Sequence, residues 1–169
     1  MEKSGGFDIA KMTMASKIVM VSGILLLVDS FLSWQKVCAS DILGDLGDVG
    51  DICASASAWG GSGSFAGLIM GILLIVLLIW EGIQLANAPV NLSIGVTPSQ
   101  GTAYLGFAVV IFGLLKFVLV VTNEPALGAW IGLVLLLAIA YGSWMRLQEP
   151  ESAPPPGATS GGTDGGFTA

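Results

Sequence analysis

Three ionisable side chains stand inside long apolar runs: Asp29, Glu81 and Lys116. A charge in hydrocarbon is unfavourable by about 2.5–3.5 kcal/mol on insertion scales, so such residues mark either function or pairing. Carboxylates in this setting suit the coupling of protons or cations in a transporter. A basic residue at matching depth turns the same carboxylate into half of an ion pair that locks helices together. Asp29 lies five residues before Trp34, and Lys116 six before Thr122. At ~1.5 Å per residue, both sit some ~8–9 Å below the outer boundary. Asp29 and Lys116 are therefore expected to pair. Glu81 lies near the inner boundary, where Arg146 or Lys17 can reach it by snorkelling.

Other chemistry is thin. The chain has no histidine, the commonest general base and metal ligand. It has no Gly-rich phosphate loop and no nucleophile elbow, so an enzyme is not expected, and neither is a cofactor. Cys38 and Cys53 flank a loop between two apolar runs. An even pair in an oxidising compartment points to one disulfide, closing about 15 residues and contributing roughly 3 kcal/mol in the chain-entropy model. Two free thiols are the alternative. Two cysteines are too few for a zinc site, and their spacing is not CxxC. Between them Asp41, Asp45, Asp48 and Asp51 would share one face of a helix. Carboxylates suit Ca²⁺ or Mg²⁺, but the EF-hand spacing is not matched, and a solvated acidic face is the plainer reading.

The elements that position these groups are membrane helices. Of 169 residues 54% are hydrophobic and 11% charged, and mean hydropathy is +0.84. A soluble or disordered chain is excluded. Six basic against twelve acidic residues give no footprint for nucleic acid. Apolar runs at 18–34, 65–86, 102–121 and 127–145 each approach the 17–25 residues that span a core of about 30 Å. They lack period-2 alternation, so they are helices rather than barrel strands. The expected fold is all-α, an antiparallel four-helix transmembrane bundle over 18–148, with an outer loop at 35–64.

Residues 1–17 form an N-terminal segment with Lys3, Lys11 and Lys17, able to lie on the inner surface, and 149–169 a Pro/Gly-rich disordered tail. With Arg146 closing the fourth helix and only Lys36 in the first loop, the charge bias puts both termini in the cytoplasm. Trp34, Trp59, Phe65, Trp80, Tyr104, Trp130, Tyr141 and Trp144 mark helix ends at headgroup level. Pro125, with Asn123 or Glu124 as cap, opens the fourth helix. A cleaved signal peptide ending near Val37-Cys38-Ala39 is the competing reading of the start. Gly67/Gly71 and Gly128/Gly132 are GxxxG pairs that let helices approach closely, within one bundle or across a homodimer.

The opening GFDIAKMTMASKIVMVSGILLLVDSFLSWQKVC resembles the start of small uncharacterised four-helix membrane proteins of high-GC Gram-positive (actinobacterial) type, as do the Ala/Gly-rich composition and Pro/Gly tail. The resemblance implies a plasma-membrane location and no particular activity. The paired loop cysteines are similar to those of claudin-like tetraspan proteins, but that family's tryptophan–cysteine pattern is not reproduced. Small multidrug transporters place a glutamate in their first helix with almost no loops, and here Asp29 lies near a helix end with a long loop after it. The expected function is that of a non-catalytic accessory, scaffold or assembly partner in the cell membrane, bound to lipid and to a membrane-protein partner or a second copy. A small transporter or channel subunit using Asp29 or Glu81 is the alternative.

Overall fold

Leu, Ile, Val, Ala and Gly dominate four stretches whose backbone groups are satisfied within helices. The computed structural model describes residues 12–38, 53–86, 97–122 and 125–149. In chain order the elements are α1 (Met14–Asp29), β1 (Ser33–Cys38), β2 (Cys53–Ser57), α2 (Ser64–Leu85), α3 (Pro98–Val121) and α4 (Leu127–Gln148). Three helices, α2, α3 and α4, are long and apolar enough to cross a membrane, with hydropathies of 2.4, 2.5 and 1.8. At 22 to 24 residues they run about 33–36 Å.

The helices form a ring in the order α1, α4, α3, α2, with the α1–α2 side the least contacted. α1 and α3 stand across its diagonal. Small residues set the close approaches. Gly106 of α3 faces Ser143 of α4, Gly113 faces Leu136, and Gly142 of α4 faces Ile18 and Val19 of α1. Val19, Leu26, Met70, Leu74, Val109 and Ile139 fill the centre. The outside is apolar as well: Ile24, Leu25, Ile75, Ile79, Val118 and Val134 are among many large side chains left exposed. An exterior as apolar as the core suits lipid rather than water.

Several boundaries differ from the sequence expectation. α1 begins at Met14, capped by the Thr13 hydroxyl, so it takes up the last residues of the expected N-terminal segment. It ends at Asp29 instead of continuing to Trp34. The chain turns at Ser30–Leu32 and runs back as β1, a reversal that hydropathy averaged over a window cannot register. α3 starts at Pro98, four residues early. Thr97 and Gln100 there form a reciprocal capping box with Pro98 in the first turn. α4 is capped by Ala126, and Pro125 instead bridges Gln35 of β1.

β1 and β2 form a two-stranded antiparallel hairpin. Its register pairs Ser33 with Ser57 and Cys38 with Cys53, with a shift between Ser33 and Gln35. That bulge falls at Trp34 and turns its side chain into the bundle, as bulges do. The aspartates at 41–51, the loop at 87–96, residues 123–124 and nearly all of the tail expected at 149–169 lie outside the described residues.

Candidate functional site

Charged and polar groups collect at the two ends of the bundle. At one end Glu81 of α2 is fully buried and is met by all three other helices. Ser16 of α1 donates to Oε2, Thr102 of α3 donates to Oε1 at 2.7 Å, and Nη2 of Arg146 of α4 lies 3.2 Å from Oε1 and 3.1 Å from Oε2. Gln84 donates to the Thr102 hydroxyl at 3.0 Å, and Nη1 of Arg146 reaches Glu149 at 2.8 Å. The carboxylate is thus stabilised by a buried cation and two hydroxyl donors, the condition under which a charge tolerates a low-dielectric site. Of the two bases expected to reach Glu81, Arg146 is the one that does.

The other end is closed by the hairpin. Trp34 is fully buried within the protein. Its ring lies on Gly128 and Gly132 of α4, where a Cβ on Gly132 would come within 2.5 Å of it. Its indole N–H donates to the Asp29 carbonyl at 3.1 Å. Ala126 N–H donates to the Trp34 carbonyl at 2.8 Å, tying the start of α4 to β1. On the opposite side, a Cβ on Gly67 of α2 would collide with the Ala58 carbonyl oxygen, and one on Gly71 with the Trp59 ring. The two GxxxG pairs expected to join helices therefore receive the hairpin. Each supplies a groove for one tryptophan, and the indole, too wide to meet a side chain there, rests on bare backbone.

Lys116 of α3 is fully buried and does not pair with Asp29. Its Nζ donates to the carbonyls of Gly60 at 2.7 Å and Ser62 at 2.6 Å, in the turn after β2. Gln35 holds the same turn by accepting from Ser62 N–H at 3.2 Å. Gly61 and Gly63 in this turn have φ of +67° and +70°, which glycine adopts without steric penalty. The expected Asp29–Lys116 pair does not form, because the carbonyls of the turn after β2 take the Lys116 ammonium.

Asp29 is the exception among the charges. It is 3% exposed, and neither carboxylate oxygen has a hydrogen-bond partner. A Cβ on Gly132 would lie 2.9 Å from Oδ2. It sits at the last residue of α1, where the helix presents the negative end of its dipole.

Ser16, Thr102, Gln84 and Gln35 were not singled out in the sequence. The available signal was their position: hydroxyls and amides on apolar helices at the level of Glu81, and a glutamine beside the tryptophan of a short strand. Comparison with protein-family models, with curated proteins and with solved structures finds no match.

Proposed function

We propose that this chain is a multi-pass protein of the cell membrane, with four spans and both termini cytoplasmic, that acts as a non-catalytic accessory or scaffold for a membrane partner. On this reading α1 is the fourth span. At 16 residues it is short, but it lies along α4 from the level of Glu81 to the level of the hairpin, and its outward face carries Val21, Ile24, Leu25 and Val28. The carrying observation is that Glu81 is engaged by every other helix of the bundle. A coupling carboxylate must exchange its ligands, whereas one bound by three other helices holds a frame together. The frame then displays the hairpin and the acidic stretch 39–52 on the outer side, with Cys38 and Cys53 bridged at the open end of the ladder.

The test is purification of the full chain from its native membrane in mild detergent after cross-linking, read by mass spectrometry. The comparison is a variant with 41–51 replaced by a Gly/Ser linker. A protein retained by the wild type and lost by the variant is the expected result, together with a linked Cys38–Cys53 peptide under non-reducing conditions. Recovery unaffected by the replacement removes the display role, and free thiols remove the bridge. The transporter alternative draws its support from Asp29 alone. Ion flux in proteoliposomes that is abolished by Asp29→Asn would transfer the assignment to it.

A further inference from the structure

α1 is shorter than the bilayer it lines. Its 16 residues rise about 24 Å, against about 33 Å for the 22 residues of α2 or of α4 and a hydrocarbon core of roughly 30 Å. The base of the hairpin stands at the level that α1 does not reach. The Trp34 ring lies on Gly132, five residues into α4, and the Trp59 ring on Gly71, seven residues into α2. Both contacts are thus ~7–10 Å below the helix starts. Those starts are themselves apolar on the outside. Leu127 and Phe65, in the first turns of α4 and α2, are among the most exposed large hydrophobic side chains. The hydrocarbon therefore extends to the first turns, and the base of the hairpin lies below its edge.

Backbone outside a helix is tolerated at membrane depth where protein supplies the partners that water would. The N–H groups of Ser30, Phe31 and Leu32 donate to the carbonyls of Leu26, Val28 and Asp29, and that of Ala58 donates to the Ser30 carbonyl. The Trp59 N–H donates to the Ser30 hydroxyl at 3.0 Å, and that hydroxyl donates to the Leu27 carbonyl at 2.6 Å. The Lys116 ammonium, on a helix residue five places inside the end of α3, serves the carbonyls of the adjoining turn. The buried lysine thus has a task that needs no acid: it donates to peptide groups that would otherwise need water. Two side chains of the base point out of the protein. Phe31 is 69% exposed and Leu32 50%, and the Phe31 ring packs on Trp59 with centroids 5.8 Å apart. Asp29 and Ser30 are buried, so every exposed side chain from Val28 to Leu32 is apolar.

We infer that residues 30–34 and 58–59 form a re-entrant element embedded in the leaflet on the hairpin side, and that Phe31 and Leu32 are its contact surface for the acyl chains of that leaflet. Lipid is the occupant because this surface continues the outward face of α1, where Leu25 and Val28 are exposed, with no polar side chain to interrupt it. The fourth position of the ring is then composite, with a helix through most of the bilayer and the base of the hairpin through the rest. The inference rests on α2 and α4 crossing the membrane. It is independent of the scaffold role and of which side of the membrane the hairpin faces.

The test uses the full chain in phosphatidylcholine nanodiscs. Phe31→Cys and Leu32→Cys, one at a time on a Cys38→Ser, Cys53→Ser background, carry a nitroxide whose collisions with oxygen and with a water-soluble nickel chelate are read by spin resonance. Oxygen concentrates in hydrocarbon and the chelate in water. Both positions should collide more with oxygen than with nickel, as a label at Leu25→Cys on α1 should. Nickel collisions exceeding oxygen collisions at 31 and 32 would overturn the inference. The wild-type chain provides a second readout that no substitution can disturb. Phosphatidylcholine with a photoactivated diazirine in its acyl chain should leave adducts on the peptide containing Phe31 and Leu32, located by mass spectrometry. Adducts on α2 and α4 that spare 31 and 32 would overturn the re-entrant element alone. Adducts missing from α2 and α4 as well would remove the membrane spans, and the inference with them.

Discussion

Glu81 and Arg146 show how much of a buried charge's fate is set by its neighbours. Removing either from a buried pair leaves the other uncompensated, with a typical loss of about 3–5 kcal/mol. Glu81→Ala and Arg146→Ala should each lower the thermal midpoint in detergent, at the upper end of what single substitutions do. The double variant should lose at least ~1 kcal/mol less than the sum, because the two charges no longer strand one another. Strictly additive losses would mean that the pair contributes no coupling. Depth along the sequence was enough to bring Glu81 and Arg146 together, since both lie at one end of helices that run the same way. The same reasoning misplaced Asp29 and Lys116. Both lie at the hairpin end, but the turn after β2 offers Lys116 two carbonyls, and residue depth does not encode that turn.

The glycines of α2 separate what an element needs from what merely occurs in it. A Cβ at Gly67 meets the backbone of Ala58, which has no rotamer by which to give way, whereas one at Gly82 meets nothing within 4 Å. Gly67→Ala should therefore destabilise by about 1–3 kcal/mol, as overpacking does. It should also shift tryptophan emission as the segment after β2 rises from its groove. Gly82→Ala should leave emission unchanged and hold or raise stability, since alanine favours a helix interior by up to about 1 kcal/mol. Equal losses in calorimetry would show that Gly67 is not the seat of the hairpin. The apolar runs made α2, α3 and α4 legible to within a few residues. The hairpin was not legible: Cys-Ala-Ser-Ala-Ser in β2 has no β-branched residue and no large apolar one, and β1 starts on the last two residues of an apolar run and continues into the expected loop. Its strands are held by partners outside the hairpin, Pro125 on one edge and Lys116 on the turn after β2, more than by their own propensity.

At the scale of the molecule, an apolar exterior surrounds two polar ends. The proposed arrangement of four spans puts residue 160 of the tail and residue 123 between α3 and α4 on opposite sides of the membrane. Single cysteines at these positions on a Cys38→Ser, Cys53→Ser background should label with opposite sidedness. An impermeant reagent should reach position 123 in intact cells and position 160 only after the membrane is opened. Outside labelling of position 160 would remove the four-span arrangement.

The last helix completes both ends of the bundle. Arg146 supplies the cation for Glu81, while Gly128, Gly132 and Ala126 N–H supply the seat of Trp34 and the hydrogen bond to its carbonyl. The ribosome delivers all of these after their counterparts. Until α4 is added, Glu81 has its two hydroxyl donors but not its guanidinium, and Trp34 has no groove to lodge in. The growing chain therefore passes through a stage at which three helices are made and neither end has its α4 partner. A substitution that slows insertion of α4 would then act on cellular abundance before it acted on the stability of any finished molecule.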